Sequence, residues 1–183
     1  MLEITYIGIG EMGVGMAENI LKKNGALTIW NRTRDKPHVR SLTESGARRA
    51  DTLEKAVVAA DYICFNLTSD VSVKAVVEGV LPFVRPGTLL MDFSTISPET
   101  AREIHDAFAE NGASYLDCPV SGGSAGAKAG TLAIMAGGDE AAFRKAMPVL
   151  EMCGANIQYM GEIGSGQKAK LINQLLTWVN QAV

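Results

Sequence analysis

ITYIGIGEMGVGMAENI, residues 4–20, places the glycine pattern GxGxxG between a β-rich run and a helical pattern. The pattern is weak alone, but a strand before it and a helix after it form the context in which it binds dinucleotides. There the glycines allow a tight turn and a close backbone approach, so a pyrophosphate can bind free amides at the helix N-terminus. The alternative is a glycine-rich turn without a ligand. We predict that a dinucleotide cofactor binds this loop, through Gly8, Ile9, Gly10, Glu11, Met12 and Gly13.

Beyond residue 20, apolar β-rich runs continue to alternate with helical patterns. The predicted strands are ALTIW, YICFNL, TLLMDF, SYL, LAIMAG and NIQYM. Alternation of this kind builds right-handed βαβ units and a doubly wound sheet. The sequence therefore predicts the α/β class, with a Rossmann-like, mostly parallel sheet and one dinucleotide-binding domain over residues 1–163. A final helix is predicted over residues 164–183.

The composition narrows the possible classes of function. A hydrophobic share of 47% and a charged share of 20% over 183 residues are typical of a globular domain. The net charge of −3 argues against a nucleic-acid partner or an anionic membrane surface. The three cysteines lie far apart without metal-ligand spacing, which predicts reduced thiols and no metal site. No run is long enough to span a bilayer and the chain starts directly with a strand pattern, so a cytoplasmic location is expected.

The residues after the second predicted strand indicate which dinucleotide is preferred. This strand ends at Trp30, and Asn31, Arg32 and Thr33 follow it without an acidic residue. A free ribose 2′-hydroxyl usually meets a carboxylate at this point, whereas a 2′-phosphate needs cationic and hydroxyl donors. NADP(H) is therefore favoured and NAD(H) remains possible; the alternative is that Arg32 is only a solvated surface side chain. The short basic cluster of Arg32, Arg34 and Lys36 is interpreted as part of a site. The cofactor residues of this region are predicted to be Asn31, Arg32, Thr33, Leu67 and Thr68.

Two further segments follow later strands, at the sheet edge where open α/β folds bind ligands. In MDFSTISP, Ser94 and Thr95 are placed to approach the nicotinamide half of the cofactor, although capping of the next helix is an alternative. In DCPVSGG, the serine hydroxyl and successive backbone amides can hold a small anion such as a carboxylate. The alternative for this glycine-rich run is a flexible loop. The predicted substrate-binding residues of this segment are Ser121, Gly122 and Gly123.

The final predicted helix carries the best candidate for proton transfer, Lys170. A nucleophile elbow, a P-loop lysine motif and paired metal ligands are all absent from the sequence. A lysine exchanges protons near neutrality only if its surroundings lower its pKa. An ordinary helix lysine that reaches solvent is the alternative. Lys170 shares its helix face with the amides of Asn173 and Gln174 rather than with charges, which favours a site, while apolar residues without a partner cover most of the rest.

Taken together, the motifs resemble those of the β-hydroxyacid dehydrogenases. The resemblance is carried by GIGEMGVGMAENI, WNRT, MDFSTISP, DCPVSGGSAGAKAGTL and GSGQKAKLINQ, in the family's order and spacing. It implies that Ser121, Gly122 and Gly123 hold the substrate carboxylate, that Thr95 lies near the nicotinamide, and that Lys170 is the catalytic acid/base. It also implies that the helix over residues 164–183 connects to an all-helical second domain, absent from this chain, that completes the active site and forms a homodimer or larger assembly.

The resemblance leaves the substrate open. Many members have asparagine four residues after the lysine, where this chain has Gln174 preceded by Asn173. This amide pair, predicted to orient the substrate and the lysine, is similar to that of tartronate semialdehyde reductases, whereas WNRT is similar to NADP-using semialdehyde reductases. The predicted function is NADP-preferring oxidation and reduction of small 3-hydroxy acids and semialdehydes. The alternatives are an imine reductase, a class that commonly lacks the lysine, and a non-catalytic dinucleotide-binding module.

Overall fold

A computed structural model describes the backbone of residues 1–182 and the side chains of residues 1–180. The strands in this part of the chain are β1 (Ile4–Ile7), β2 (Thr28–Trp30), β3 (Arg48–Arg49), β4 (Tyr62–Phe65), β5 (Leu89–Asp92), β6 (Ser114–Asp117), β7 (Val120–Ser121), β8 (Leu132–Gly137) and β9 (Gly154–Gly161). The α-helices are α1 (Glu11–Asn24), α2 (Pro37–Glu44), α3 (Leu53–Val57), α4 (Asp70–Val80), α5 (Pro98–Glu110), α6 (Gly123–Ala129), α7 (Glu140–Cys153) and α8 (Ser165–Ala182). Val183, the last residue of the predicted final helix, lies outside the described residues.

The strands form one twisted sheet in the order β3-β2-β1-β4-β5-β6-β8-β7, and β9 also pairs with β8. All pairings from β3 across to β6 are parallel, whereas β8 runs antiparallel to both β6 and β7. The chain moves outward from β1 to β3 and then returns to β4 on the other side of β1. The predicted α/β class and the mostly parallel, doubly wound sheet are confirmed. In such sheets, ligands bind where the strand order reverses, at the carboxyl ends of the strands.

Both faces of the sheet are covered, so the parallel strands are buried on both sides. Alternate residues of one strand belong to different core clusters: Tyr6 packs with the cluster that includes α1 and α7, and Ile7 with the cluster of α3, α4 and α5. This period of two follows from strand geometry. Burial of both faces explains why ITYI, YICF and LLMD are buried at every position and are mostly apolar rather than alternating.

The glycine-rich run from residue 121 to 130 is not a loop, and the helix it contains is absent from the sequence-based prediction. Its residues form the end of β7 and then α6, which packs directly on α1. A Cβ added at Gly15 would lie 2.7 Å from the Lys128 backbone nitrogen, so the two helices approach closely. Asn19 also donates to the Ala127 carbonyl oxygen over 2.8 Å, at the end of α6. Glycine and alanine give weak local helix patterns, and here tertiary packing decides the conformation.

The last described helix, α8, begins at the sheet edge and then presents apolar side chains to solvent. Their exposed fractions lie between 53% and 69%, and the residues are Leu171, Ile172, Leu175, Leu176, Trp178 and Val179. The sequence-based expectation of apolar surface without a partner is confirmed for these side chains. Among the described residues, no helix is both long enough and apolar enough to cross a membrane.

Candidate active site

The three glycines of the first loop have different structural roles. Gly8 has φ +97°, and an added Cβ would lie 2.2 Å from the Asn66 carbonyl oxygen. A Cβ at Gly13 would lie 2.2 Å from the Gly8 carbonyl oxygen, so this position packs α1 against the turn. A Cβ at Gly10 would meet nothing within 4 Å. The first and third glycines therefore build the loop, and the middle one leaves open space above the N-terminus of α1, as a bound pyrophosphate requires.

The backbone of this loop is held by the side chain of Asn31. Its Oδ1 accepts a hydrogen bond from the Ile9 nitrogen over 2.9 Å, and its Nδ2 donates to the Thr33 carbonyl oxygen over 2.7 Å. The side chain of Ile9 is fully buried in the core. Of the predicted cofactor residues, Ile9 and Gly13 thus support the loop from inside, and Asn31 fixes it to the end of β2.

A cleft at the carboxyl ends of β2 and β4, named here the β2 cleft, contains most of the predicted cofactor residues. Arg32 and Lys36 are its exposed cations, and Leu53 and Val76 belong to its apolar wall. Arg34 is not part of it and donates instead to the Asp51 carbonyl oxygen over 2.9 Å. Lys36 was not predicted as a cofactor residue, although the basic cluster contains it. The predicted residues in this cleft are Gly8, Gly10, Asn31, Arg32, Thr33, Leu67 and Thr68.

A second cleft of about 620 Å³, named here the α8 cleft, adjoins the first, and Gly10, Leu67 and Thr68 line both. It brings together the start of α1, the loop after β5, the turn from β7 into α6, and one face of α8. Asn173 lies beside it and donates from Nδ2 to the Ser121 hydroxyl oxygen over 3.2 Å. The predicted residues that line it are Glu11, Met12, Thr95, Ser121, Gly122, Gly123, Lys170 and Gln174.

Lys170 is buried at this cleft, with an exposed fraction of only 7%. Its Nζ donates to Oε1 of Gln174 over 3.0 Å, and burial lowers its pKa from the ordinary lysine value. Lys168, two positions earlier on the same helix, is exposed. A lysine that reaches solvent would not be desolvated in this way, so the burial favours a role in proton transfer over the surface alternative.

The first turn of α8 is anchored by Asp117, a fully buried residue at the end of β6. Its carboxylate oxygens accept hydrogen bonds from the Gly164 nitrogen over 2.8 Å and the Gln167 nitrogen over 2.7 Å. Burial raises the pKa of Asp117 to about 6, and the two backbone donors act in the opposite direction. Ser94 likewise has a structural role, since its Oγ accepts from the Leu67 nitrogen over 2.8 Å. Neither Asp117 nor Gln167 was predicted, because only their contacts distinguish them.

The chain is similar to known proteins over nearly its whole length. Residues 3–161 match the family model of the NAD binding domain of 6-phosphogluconate dehydrogenase. The NAD-dependent L-serine dehydrogenase of Pseudomonas aeruginosa is 42% identical over 179 residues, covering 96% of this chain and 59% of that enzyme. The structure of 3-hydroxyisobutyrate dehydrogenase from Mycobacterium tuberculosis with L-serine has a TM-score of 0.94 and 36% identity, and the match covers 100% of this chain and 62% of that one.

An imine reductase is also structurally similar to the chain. The enzyme of Streptomyces aurantiacus has a TM-score of 0.88 and 29% identity, and the match covers 96% of this chain and 61% of the reductase. The chain therefore spans about three fifths of the length of each of these proteins.

Proposed function

Since the chain belongs to the β-hydroxyacid dehydrogenase family and matches its NAD-binding domain, we propose that it is the cofactor-binding part of an oxidoreductase for small 3-hydroxy acids and semialdehydes. One observation carries the proposal: a buried lysine and the turn from β7 into α6 line the same cleft as part of the glycine loop. In the whole enzyme, these residues would act together with the further two fifths of chain that the relatives have beyond the matched region.

The substrate would be held by its carboxylate at the turn from β7 into α6. Gly122 and Gly123 have φ values of +131° and +63°, which side-chain-bearing residues rarely adopt, and their backbone lies open to the cleft. The Ser121 hydroxyl, oriented by Asn173, adds a donor at the same place. L-Serine and 3-hydroxyisobutyrate, named for two of the relatives, both carry a carboxylate and a hydroxyl group on carbon 3. This shared chemistry supports a small 3-hydroxy acid as the substrate class.

Lys170 would accept the proton of the substrate hydroxyl during oxidation and return it during reduction. A nicotinamide dinucleotide held by the residues of the two adjoining clefts would supply the acceptor or donor of the hydride. The desolvated amine gives up its proton more readily than an exposed lysine, and Gln174 holds it through the bond to Nζ. The buried lysine also weighs against the imine reductase alternative. Turnover of a 3-hydroxy acid by the complete enzyme would exclude the non-catalytic alternative.

The anion-binding turn can be tested with Ser121→Ala in the complete enzyme. Loss of one hydrogen bond to a charged group should raise KM for the hydroxy acid by about 10-fold or more, equivalent to about 1.5–3 kcal/mol. The Kd for NADPH, measured by cofactor fluorescence, should change little. Ser124→Ala is the matched control, because Ser124 is exposed on α6 and does not line the cleft. If cofactor binding were lost instead, the turn would belong to the dinucleotide site.

We also propose that the enzyme prefers NADP(H) over NAD(H). Arg32, Thr33 and Lys36 bring two cations and a hydroxyl to one end of the β2 cleft, where a 2′-phosphate would bind. A relative that is 42% identical is named as NAD-dependent, so family membership alone does not fix this preference. The residues after β2 would decide it, and they are the residues to change.

Arg32→Ala should remove most of the difference in Kd between NADPH and NADH. A charge-assisted contact to phosphate contributes about 1.5–3 kcal/mol, so NADPH affinity should fall by roughly 10- to 150-fold while NADH affinity stays nearly constant. Arg34→Ala is the control, because Arg34 lies two residues further along the same loop yet outside the cleft. Equal affinity of the unchanged protein for both cofactors would contradict the proposal.

The exposed apolar side chains of α8 are proposed to be covered in the complete protein. Six neighbouring side chains that are each more than half exposed form a larger apolar surface than isolated surface residues do. We propose that an all-helical domain and a second copy of the protein pack against them. The same packing would close the α8 cleft over Lys170 and exclude water from the substrate.

A further inference from the structure

Gln167 is buried between the helix that carries the lysine and the loop after β5. Its Oε1 accepts from the Ile96 nitrogen over 3.2 Å, and its Nε2 donates to the Ser94 carbonyl oxygen over 2.9 Å. These two backbone groups flank Thr95, which lines the α8 cleft. One carboxamide therefore holds the backbone on both sides of Thr95. Gln167 itself is 0% exposed and does not line the cleft.

The backbone of Gln167 is also held by a hydrogen bond. Its N–H donates to Oδ2 of Asp117 over 2.7 Å, and the other oxygen of Asp117 accepts from Gly164. A carboxylate at this end of a helix pairs with free N–H groups and interacts favourably with the helix dipole. A Cβ added at Gly166 would lie 2.3 Å from the Met135 carbonyl oxygen, so the first turn of α8 has no room to slide across the sheet.

Lys170 follows Gln167 by three positions and lies on the same side of α8. We propose that Gln167 is a positioning residue whose carboxamide fixes the Lys170 amine relative to the Thr95 loop. This inference rests on the proposed function, because it takes Lys170 as the group that exchanges the substrate proton. Proton transfer requires hydrogen-bond reach, and a misplacement of about 1 Å can slow a reaction by about 100-fold.

The kinetic test uses Gln167→Met in the complete enzyme. Methionine keeps the length of the side chain but removes the two hydrogen bonds that the carboxamide makes with Ser94 and Ile96. We expect kcat to fall by about 10- to 100-fold, with little change in the Kd for NADPH. The isotope effect on kcat, measured with a substrate deuterated at the carbon that loses hydride, should rise because the chemical step becomes slower. The control is Asn24→Ala, which loses hydrogen bonds to Leu2 and Ala26 at the amino ends of β1 and β2, away from both clefts.

A purely structural residue would give a different pattern. Gln167→Met would then reduce kcat only in proportion to the folded fraction, as Asn24→Ala does, and the isotope effect would not change. That result would overturn the proposal.

A second measurement does not depend on turnover. In the unchanged chain, Lys170 should react with an amine-acylating reagent at lower pH than an ordinary lysine does, because burial lowers its pKa, as followed by mass spectrometry of the labelled peptide. Gln167→Met should reduce this difference, because a loosened helix exposes the lysine, and an undiminished difference would contradict the proposal. If the difference shrinks while the unchanged complete enzyme turns over no small 3-hydroxy acid, the proposed function fails and the positioning contact stands.

Discussion

Lys170→Ala should lower the turnover of a small 3-hydroxy acid by the complete enzyme by about two to four orders of magnitude, the usual scale for loss of a general acid/base. The expected loss follows from position and burial together. Lys170 is the only lysine that lines the α8 cleft in the described part of the chain, and its surroundings lower its pKa. In the unchanged enzyme, kcat/KM for oxidation should rise with pH through an ionisation below the ordinary lysine range, because the neutral amine accepts the proton. The variant should lack this ionisation.

Lys168→Ala is the matched control for this experiment. It removes the same charge from the same helix at an exposed position and should leave turnover almost unchanged. Lys170→Met separates loss of the amine from loss of volume, since it keeps an unbranched side chain in the buried position. Near-normal turnover in both Lys170 variants would show that this lysine only packs against the sheet.

Alanine substitutions at two glycines of the GxGxxG loop should have opposite effects on stability and on cofactor affinity. Gly13→Ala should lower the free energy of unfolding by about 1–3 kcal/mol or more, as overpacking does, because the new Cβ would lie 2.2 Å from the Gly8 carbonyl oxygen. Gly10→Ala should change that free energy by less than about 0.5 kcal/mol, since its Cβ points into open space. Urea denaturation monitored by circular dichroism measures both values.

Cofactor affinity should be lowered in Gly10→Ala, the variant whose stability is nearly unchanged. Gly10→Ala fills space that the pyrophosphate needs, so its Kd for NADPH should rise by at least about 10-fold, or about 1.4 kcal/mol, in protein that is fully folded. If Gly10→Ala bound NADPH normally, the cofactor would not approach this part of the loop. If Gly13→Ala were as stable as the unchanged protein, the close contact with Gly8 would be relaxed in solution.

Seven of the nine strands in the described residues, their order along the chain and the position of the glycine loop were predictable from short stretches of sequence. The strands β3 and β7 were not predicted, because each has only two residues, too few for a sequence pattern, and only pairing with β2 and β8 defines them. The predictable elements depend on residues close together in the chain, such as a strand of four residues or a glycine pattern of six. The α6 helix was not predictable in the same way. Its glycine and alanine residues have little preference of their own, and the contact with Gly15 more than a hundred positions earlier selects the helix.

The candidate site shows the same division. Sequence order and spacing marked Arg32, Ser121 and Lys170 as candidates, because these residues follow strands or share a helix face with amides. Tertiary structure alone made Asn31 the support of the glycine loop, buried the amine of Lys170, and joined Gln167 to backbone groups 71 and 73 positions earlier. Burial and long-range hydrogen bonds are properties of pairs of segments that meet only when the chain folds. The sequence by itself therefore determined which chemical groups are available at the sheet edge, and the packing of α8 against β6 and the loop after β5 decided which of them are desolvated, oriented and brought into one cleft.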